Sequence, residues 1–154
     1  MESVSFGAVV VSFLHQLFAV VWLGNLLLTY FSIAPAARDA FGPEAKKFMA
    51  AYQKRQSRFG MASMVGLVLT GMALAKQSPE FAHLFSTANT FSAVLTLKHL
   101  MVIASFGLAL FGAQVLGRGK PSAGKERLSQ RFLQINVVLV FLILFASAWL
   151  NAAS

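Results

Sequence analysis

The feature that most constrains this chain is a run without charged side chains from residue 3 to residue 37. A helix that crosses the hydrocarbon core of a bilayer needs about 20 mainly apolar residues, and this run is longer than that. Three further apolar stretches follow it. We therefore predict an all-α integral membrane protein, a four-helix bundle that forms a single domain over residues 1–154, with spans at about residues 4–33, 59–75, 91–116 and 132–150.

The composition of the chain agrees with a membrane protein and excludes several kinds of site. Hydrophobic residues make up 57% of the chain and charged residues only 12%. The absence of cysteine excludes disulfides, thiolate metal sites and cysteine nucleophiles. The net charge of +8 does not indicate nucleic acid, because the basic residues concentrate in two short loops between apolar stretches. We expect the lipid bilayer as partner instead.

The distribution of basic residues predicts the orientation of the chain. The second loop has only Lys76, and neither terminus carries Lys or Arg. The positive-inside rule then places the first and third loops in the cytoplasm and both termini outside, in the inner membrane of a bacterium. The basic residues of these two loops are Arg38, Lys46, Lys47, Lys54, Arg55 and Arg58, and then Arg118, Lys120, Lys125, Arg127 and Arg131.

The first loop also contains an amphipathic pattern. Ala45, Phe48, Met49 and Tyr52 are spaced at i, i+3, i+4 and i+7, and lysines lie between them. This spacing predicts a short helix on the cytoplasmic surface of the membrane, between the first and second spans.

Small and amide side chains predict how the spans contact one another. Small residues repeated every four positions let helix backbones approach closely, and amides in lipid can bridge two helices. The small residues are Ala62, Gly66 and Thr70 on the second span and Ala109, Ala113 and Gly117 on the third, and the amides are Asn25, Gln114, Gln134 and Asn136.

Two histidines fall at similar depth in the predicted membrane. His15 lies about ten residues, or ~15 Å, from the outer end of the first span, and His99 about eight residues, or ~12 Å, from the outer end of the third. Thr70 lies near the same level. Neutral imidazoles at one depth suit the axial ligation of a haem iron, and His15 and His99 are the candidate metal ligands. The alternative is that each histidine hydrogen-bonds a neighbouring helix.

Three further residues complete the candidate cofactor site. A cation within the bilayer costs ~2.5–3.5 kcal/mol, so Lys98 either extends to the outer surface or pairs with an acidic group of a ligand, such as a haem propionate. Trp22 shares a helix face with His15, and Phe106 shares one with His99. Such faces suit a bundle core or the wall of a pocket for a flat macrocycle. The expected cofactor-binding residues are His15, His99, Lys98, Trp22, Phe106 and Thr70.

Copper is the alternative cofactor. Met61, Met64 and Met72 share roughly one face of the second span, and thioethers suit Cu(I). Methionine is also ordinary core filling in membrane helices.

Several short motifs occur in a set order along most of the chain: Leu14-His15, Trp22-x-Gly24, Thr70-Gly71, Leu97-Lys98 and Arg131-Phe132-x-x-x-Asn136. In this order they resemble the membrane domain of the copper-resistance protein D family and the HemJ-type protoporphyrinogen oxidases. The first resemblance implies copper uptake and matches His15, Trp22 and Lys98. The second implies haem binding and porphyrinogen oxidation and matches His15 and Lys98. His99 is supported by its depth alone.

Three functions are therefore open. The first is a b-type haem-binding inner-membrane protein that transfers electrons or oxidises a porphyrinogen, possible partners being a quinone or another membrane redox protein. The second is a copper uptake or copper-binding membrane protein. The third is a non-catalytic accessory subunit of a larger membrane complex. A homodimer is compatible with each.

Overall fold

The computed structural model describes residues 5–76, 90–112 and 122–153. Nearly all of these residues are helical and none is in a β-strand, so the all-α prediction is confirmed. The chain forms α1 (Phe6–Leu28), a π-helical segment (Thr29–Ile33), α2 (Ala34–Phe41), a 3₁₀ turn (Gly42–Glu44), α3 (Ala45–Ala75), α4 (Thr90–Phe111) and α5 (Ala123–Ala153).

The length and surface of the helices suit a membrane protein. Three helical stretches within the described ranges are long and apolar enough to cross a bilayer: Phe6–Ala75, Thr90–Phe111 and Gly124–Ala153. Large apolar side chains are also widely exposed, among them Phe13 at 61% and Phe145 at 73%. A soluble protein rarely exposes apolar surface on this scale.

The chain divides into two compact units, Met1–Phe81 and Ala82–Ser154. In the first, α1 and α3 form an antiparallel hairpin, because His15 meets Thr70 and Thr29 meets Tyr52. The chain reverses at Gly42, whose φ of +48° is in the region that favours glycine.

The π-helical segment has a local cause. The N–H of Ala34 bonds to the carbonyl of Thr29, five residues back, where an α-helix would bond four residues back. Pro35 follows at the start of α2, and it has no N–H to offer the carbonyl of Phe31. A wider turn relieves the clash that proline causes in a regular helix.

The residues of the predicted surface helix are not a separate element. They form the first turns of α3, which runs without interruption from Ala45 to Ala75. No Gly or Pro lies between Ala45 and Phe59, so nothing ends the helix where the predicted second span begins. With 31 residues α3 is about 46 Å long, compared with about 30 Å for a hydrocarbon core.

The second unit is also an antiparallel hairpin. Asn136 of α5 reaches the backbone of Ser105 on α4, and the Phe111 and Phe132 rings lie 5.6 Å apart. α5 begins at Ala123, earlier than the predicted span at residue 132. The end of the predicted third span, after residue 112, lies outside the described residues. So do five residues named above: Ala113, Gln114, Gly117, Arg118 and Lys120.

Candidate functional site

His15 is half-buried on α1 and is held by α3. Its Nδ1 lies 2.9 Å from Thr70 Oγ1. The Thr70 hydroxyl lies 2.6 Å from the carbonyl of Gly66, and a carbonyl only accepts, so Thr70 donates its single proton there. Thr70 is therefore the acceptor towards His15, whose Nδ1 carries the hydrogen. In the neutral ring the acceptor nitrogen is then Nε2.

Glycines of α3 allow three rings of α1 to lie against its backbone. A Cβ at Gly71 would lie 3.4 Å from Cε1 of His15, and one at Gly60 would lie 3.4 Å from Cζ3 of Trp22. A Cβ at Gly66 would overlap the Phe18 ring. These contacts fix the register of the hairpin, and with it the position of the His15 ring over Thr70.

The sequence pattern identified this contact face only in part. Gly66 and Thr70 are buried as predicted, but Ala62 is exposed, and Gly60 and Ser63 take its place on the buried face. A strict four-residue repeat drifts around a helix of 3.6 residues per turn, so a face mixes spacings of three and four. Phe18, three residues after His15, was also missed.

His99 on α4 is held by its own helix. Its Nδ1 lies 2.7 Å from the carbonyl of Leu95, four residues earlier. Because a carbonyl only accepts, Nδ1 carries the hydrogen, and the neutral ring again has its acceptor at Nε2. His15 thus bonds a neighbouring helix, as the alternative to ligation predicted, whereas the partner of His99 among the described residues lies on its own helix.

Lys98 is half-buried on α4. Among the described residues no carboxylate lies within ion-pair distance of its ammonium group, and the only acidic residue described after residue 44 is Glu126. An anionic partner would stabilise a cation in this setting.

Trp22 and Phe106 occupy different settings. Trp22 is only 6% exposed and lies on Gly60, so its ring belongs to the core of the first hairpin. Phe106 is half-buried on α4, seven residues after His99, and seven residues return a helix to nearly the same face.

A second polar cluster joins α1 and α3 at the start of the π-helical segment. Asn25 Oδ1 lies 3.3 Å from the Tyr52 hydroxyl and 3.4 Å from the Thr29 hydroxyl, and the two hydroxyls lie 3.1 Å apart. The predicted bridging role of Asn25 is confirmed. Thr29 and Tyr52 were missed, although Tyr52 lies on the predicted amphipathic face.

The predicted bridging role of Asn136 is confirmed as well. Its Nδ2 donates to the Ser105 carbonyl at 3.3 Å. Its Oδ1 and the Ser105 hydroxyl are buried and have no hydrogen-bond partner within the described part of the chain. Gln134 is exposed, and Gln114 lies outside the described residues.

The described residues contain no group of three or more His, Cys, Asp or Glu side chains that could hold a metal ion. The predicted haem site has two histidine ligands, fewer than such a group contains. No protein-family model, curated protein or solved structure matches this chain. The resemblance to the copper-resistance protein D and HemJ-type families therefore stays a prediction.

Proposed function

We propose that this chain is a b-type haem protein of the membrane, in which His15 would ligate the iron through Nε2. The hydrogen bond between His15 Nδ1 and Thr70 Oγ1 carries the proposal. Metal-bound imidazoles usually donate their other N–H to a fixed acceptor, which sets the tautomer and the orientation of the ring. The chemistry of this donor suits a haem iron.

The other predicted residues have separate roles in this proposal. His99, which carries the same tautomer, is the candidate second ligand. Lys98 binds a propionate, because the described residues give its ammonium group no carboxylate partner. Phe106 would pack against the macrocycle, whereas the structure places the predicted Trp22 ring in the core of the first hairpin. Bound haem would supply one-electron chemistry, for electron transfer to a quinone or a membrane redox protein or for porphyrinogen oxidation.

The proposal includes a membrane topology. We infer four spans in a bacterial inner membrane, with both termini outside. The antiparallel pairing of α1 with α3 and of α4 with α5 supports an even number of crossings. The basic residues of the first and third loops support their cytoplasmic location. Because the chain lacks cysteine, single engineered cysteines can report the side of each loop without background labelling.

The test is the visible spectrum of the detergent-purified protein, oxidised and reduced, with metal analysis of the same sample. We expect a Soret band that is lost in His15→Ala. Thr70→Val should weaken haem retention about 10–100-fold, as loss of the group that orients a ligand does, whereas Thr70→Ser should retain it. His99→Ala tests the second ligand, because its loss would change the coordination of the iron and with it the visible spectrum. His83→Ala, which replaces the remaining histidine, is the matched control.

Other outcomes would favour the alternatives. A colourless protein that also fails to take up added haem would refute the haem proposal. Copper in that sample would favour copper uptake, although one ion cannot join Met61 to Met72, which lie ~16 Å apart along α3. Absence of any metal, with another membrane protein co-purifying, would favour the accessory subunit.

A further inference from the structure

Three cations form a compact group on one side of α3. Lys54, Arg55 and Arg58 are all exposed. At 100° per residue they fall within an arc of about 100°, and the helix rises only ~6 Å from the first to the last. Their charged groups can therefore reach one ligand together.

These three cations have no acidic partner among the described residues. By contrast, Lys47 lies 3.7 Å from the carboxylate of Glu44, on the preceding turn. No described carboxylate therefore neutralises the positive charge of this group. Guanidinium groups bind phosphate oxygens in pairs, and an ammonium group adds a point charge, so the group suits a phosphate.

The position of the group indicates where that phosphate comes from. The apolar part of α3 begins at Phe59, which is 64% exposed and borders Arg55 on the helix surface. The three cations lie ~1.5–7.5 Å before Phe59 along the axis. A headgroup layer is about 5–7 Å thick on each side of the hydrocarbon core. With Phe59 at the edge of the core, the cations lie at phosphate level.

We propose that Lys54, Arg55 and Arg58 form a binding site for the phosphate of an anionic phospholipid, with Phe59 against its acyl chain. A lipid fits better than an acidic protein because the exposed surface next to the cations is apolar: Phe59, Met61 and Val65 continue it along α3. The site depends on the proposed topology and is independent of haem.

The experiment measures phospholipid binding to the purified full chain by native mass spectrometry. Phosphatidylglycerol is titrated against phosphatidylcholine. The variant K54Q/R55Q/R58Q should lose the preference for phosphatidylglycerol about 10-fold or more. The control R38Q/K46Q/K47Q removes the same charge from the same loop and should change it less than about 3-fold. Single-cysteine labelling confirms that both variants keep the wild-type orientation.

A second variant covers the case in which the triple glutamine variant does not fold. R55K/R58K keeps the charge and removes the paired donors, so it should weaken the preference for phosphatidylglycerol only about 3-fold. Equal losses in the variant and the control would refute a local site. Displacement of the lipid by inorganic phosphate would indicate a soluble phosphate ligand, and displacement of the bound lipid by polyglutamate an acidic protein partner. Either would overturn the proposal, and neither would alter the haem spectrum.

Discussion

Gly66→Ala tests the hairpin contact that positions His15. The added Cβ would overlap the ring of Phe18, which is half-buried against α3. Phe18 would have to move, or α1 and α3 would have to separate. Because the Gly66 carbonyl also accepts the Thr70 hydroxyl proton, the same shift would disturb the acceptor of His15.

The magnitude follows from two opposing effects. Alanine is favoured over glycine inside a helix by about 1 kcal/mol. Forcing a carbon atom into a packed contact costs about 1–3 kcal/mol. We therefore expect Gly66→Ala to leave the free energy of unfolding unchanged or to lower it by up to about 2 kcal/mol.

Gly24→Ala is the matched control. Gly24 is exposed on α1, and a Cβ there would meet nothing within 4 Å. This variant gains the helix propensity without the overlap, so it should be more stable than wild type by up to about 1 kcal/mol. The difference between the two variants isolates the packing cost, about 1–3 kcal/mol.

The assay is reversible unfolding in mixed micelles of a mild detergent and dodecyl sulfate, followed by circular dichroism. Phe18→Ala provides a second control, since it makes room for the new Cβ. In that background Gly66→Ala should become as favourable as Gly24→Ala. If Gly66→Ala stabilises the wild-type chain as much as Gly24→Ala does, the close contact between Phe18 and Gly66 is wrong.

Two further substitutions test the polar contacts between helices. Tyr52→Phe removes a hydroxyl that lies within hydrogen-bond distance of both Asn25 and Thr29 and should cost about 0.5–1.5 kcal/mol in the same assay. Tyr30→Phe alters the only other tyrosine, and an equal effect there would contradict this assignment. Ser105→Ala removes a buried hydroxyl that has no partner among the described residues, so it should be neutral or stabilising. Ser147→Ala is its control, because that hydroxyl bonds the Ile143 carbonyl at 2.7 Å, and Ser105→Ala should be the more stable of the two.

The sequence predicts the parts of the fold that depend on apolar length. A mainly apolar run of about 20 residues is long enough to span a bilayer as a helix, and α1 and α4 agree with the predicted spans to within a few residues at their described ends. The start of α3 was missed because hydropathy changes at Phe59 and helix propensity does not. A charged helix and an apolar helix can be continuous, and only a residue such as Gly42 or Pro43 ends one.

The level of the polar residues was predictable, whereas their partners were not. Counting residues from the membrane edges places His15 and Thr70 at one depth, and the structure confirms that they meet. Depth does not determine the rotation of one helix against another. That rotation depends on which residues lack a side chain, and Gly60, Gly66 and Gly71 accept the rings of Trp22, Phe18 and His15.

The hydrogen bonds around His15 run in one direction, and this direction has a chemical consequence. The Gly66 carbonyl can only accept, so it orients the Thr70 hydroxyl, which in turn accepts from His15 Nδ1. In the neutral ring, the acceptor is then Nε2. The His15 imidazole therefore links α1 to α3 through Nδ1, and its Nε2 has the chemistry for ligation. The structural role of His15 and the proposed role in haem binding use different ring nitrogens.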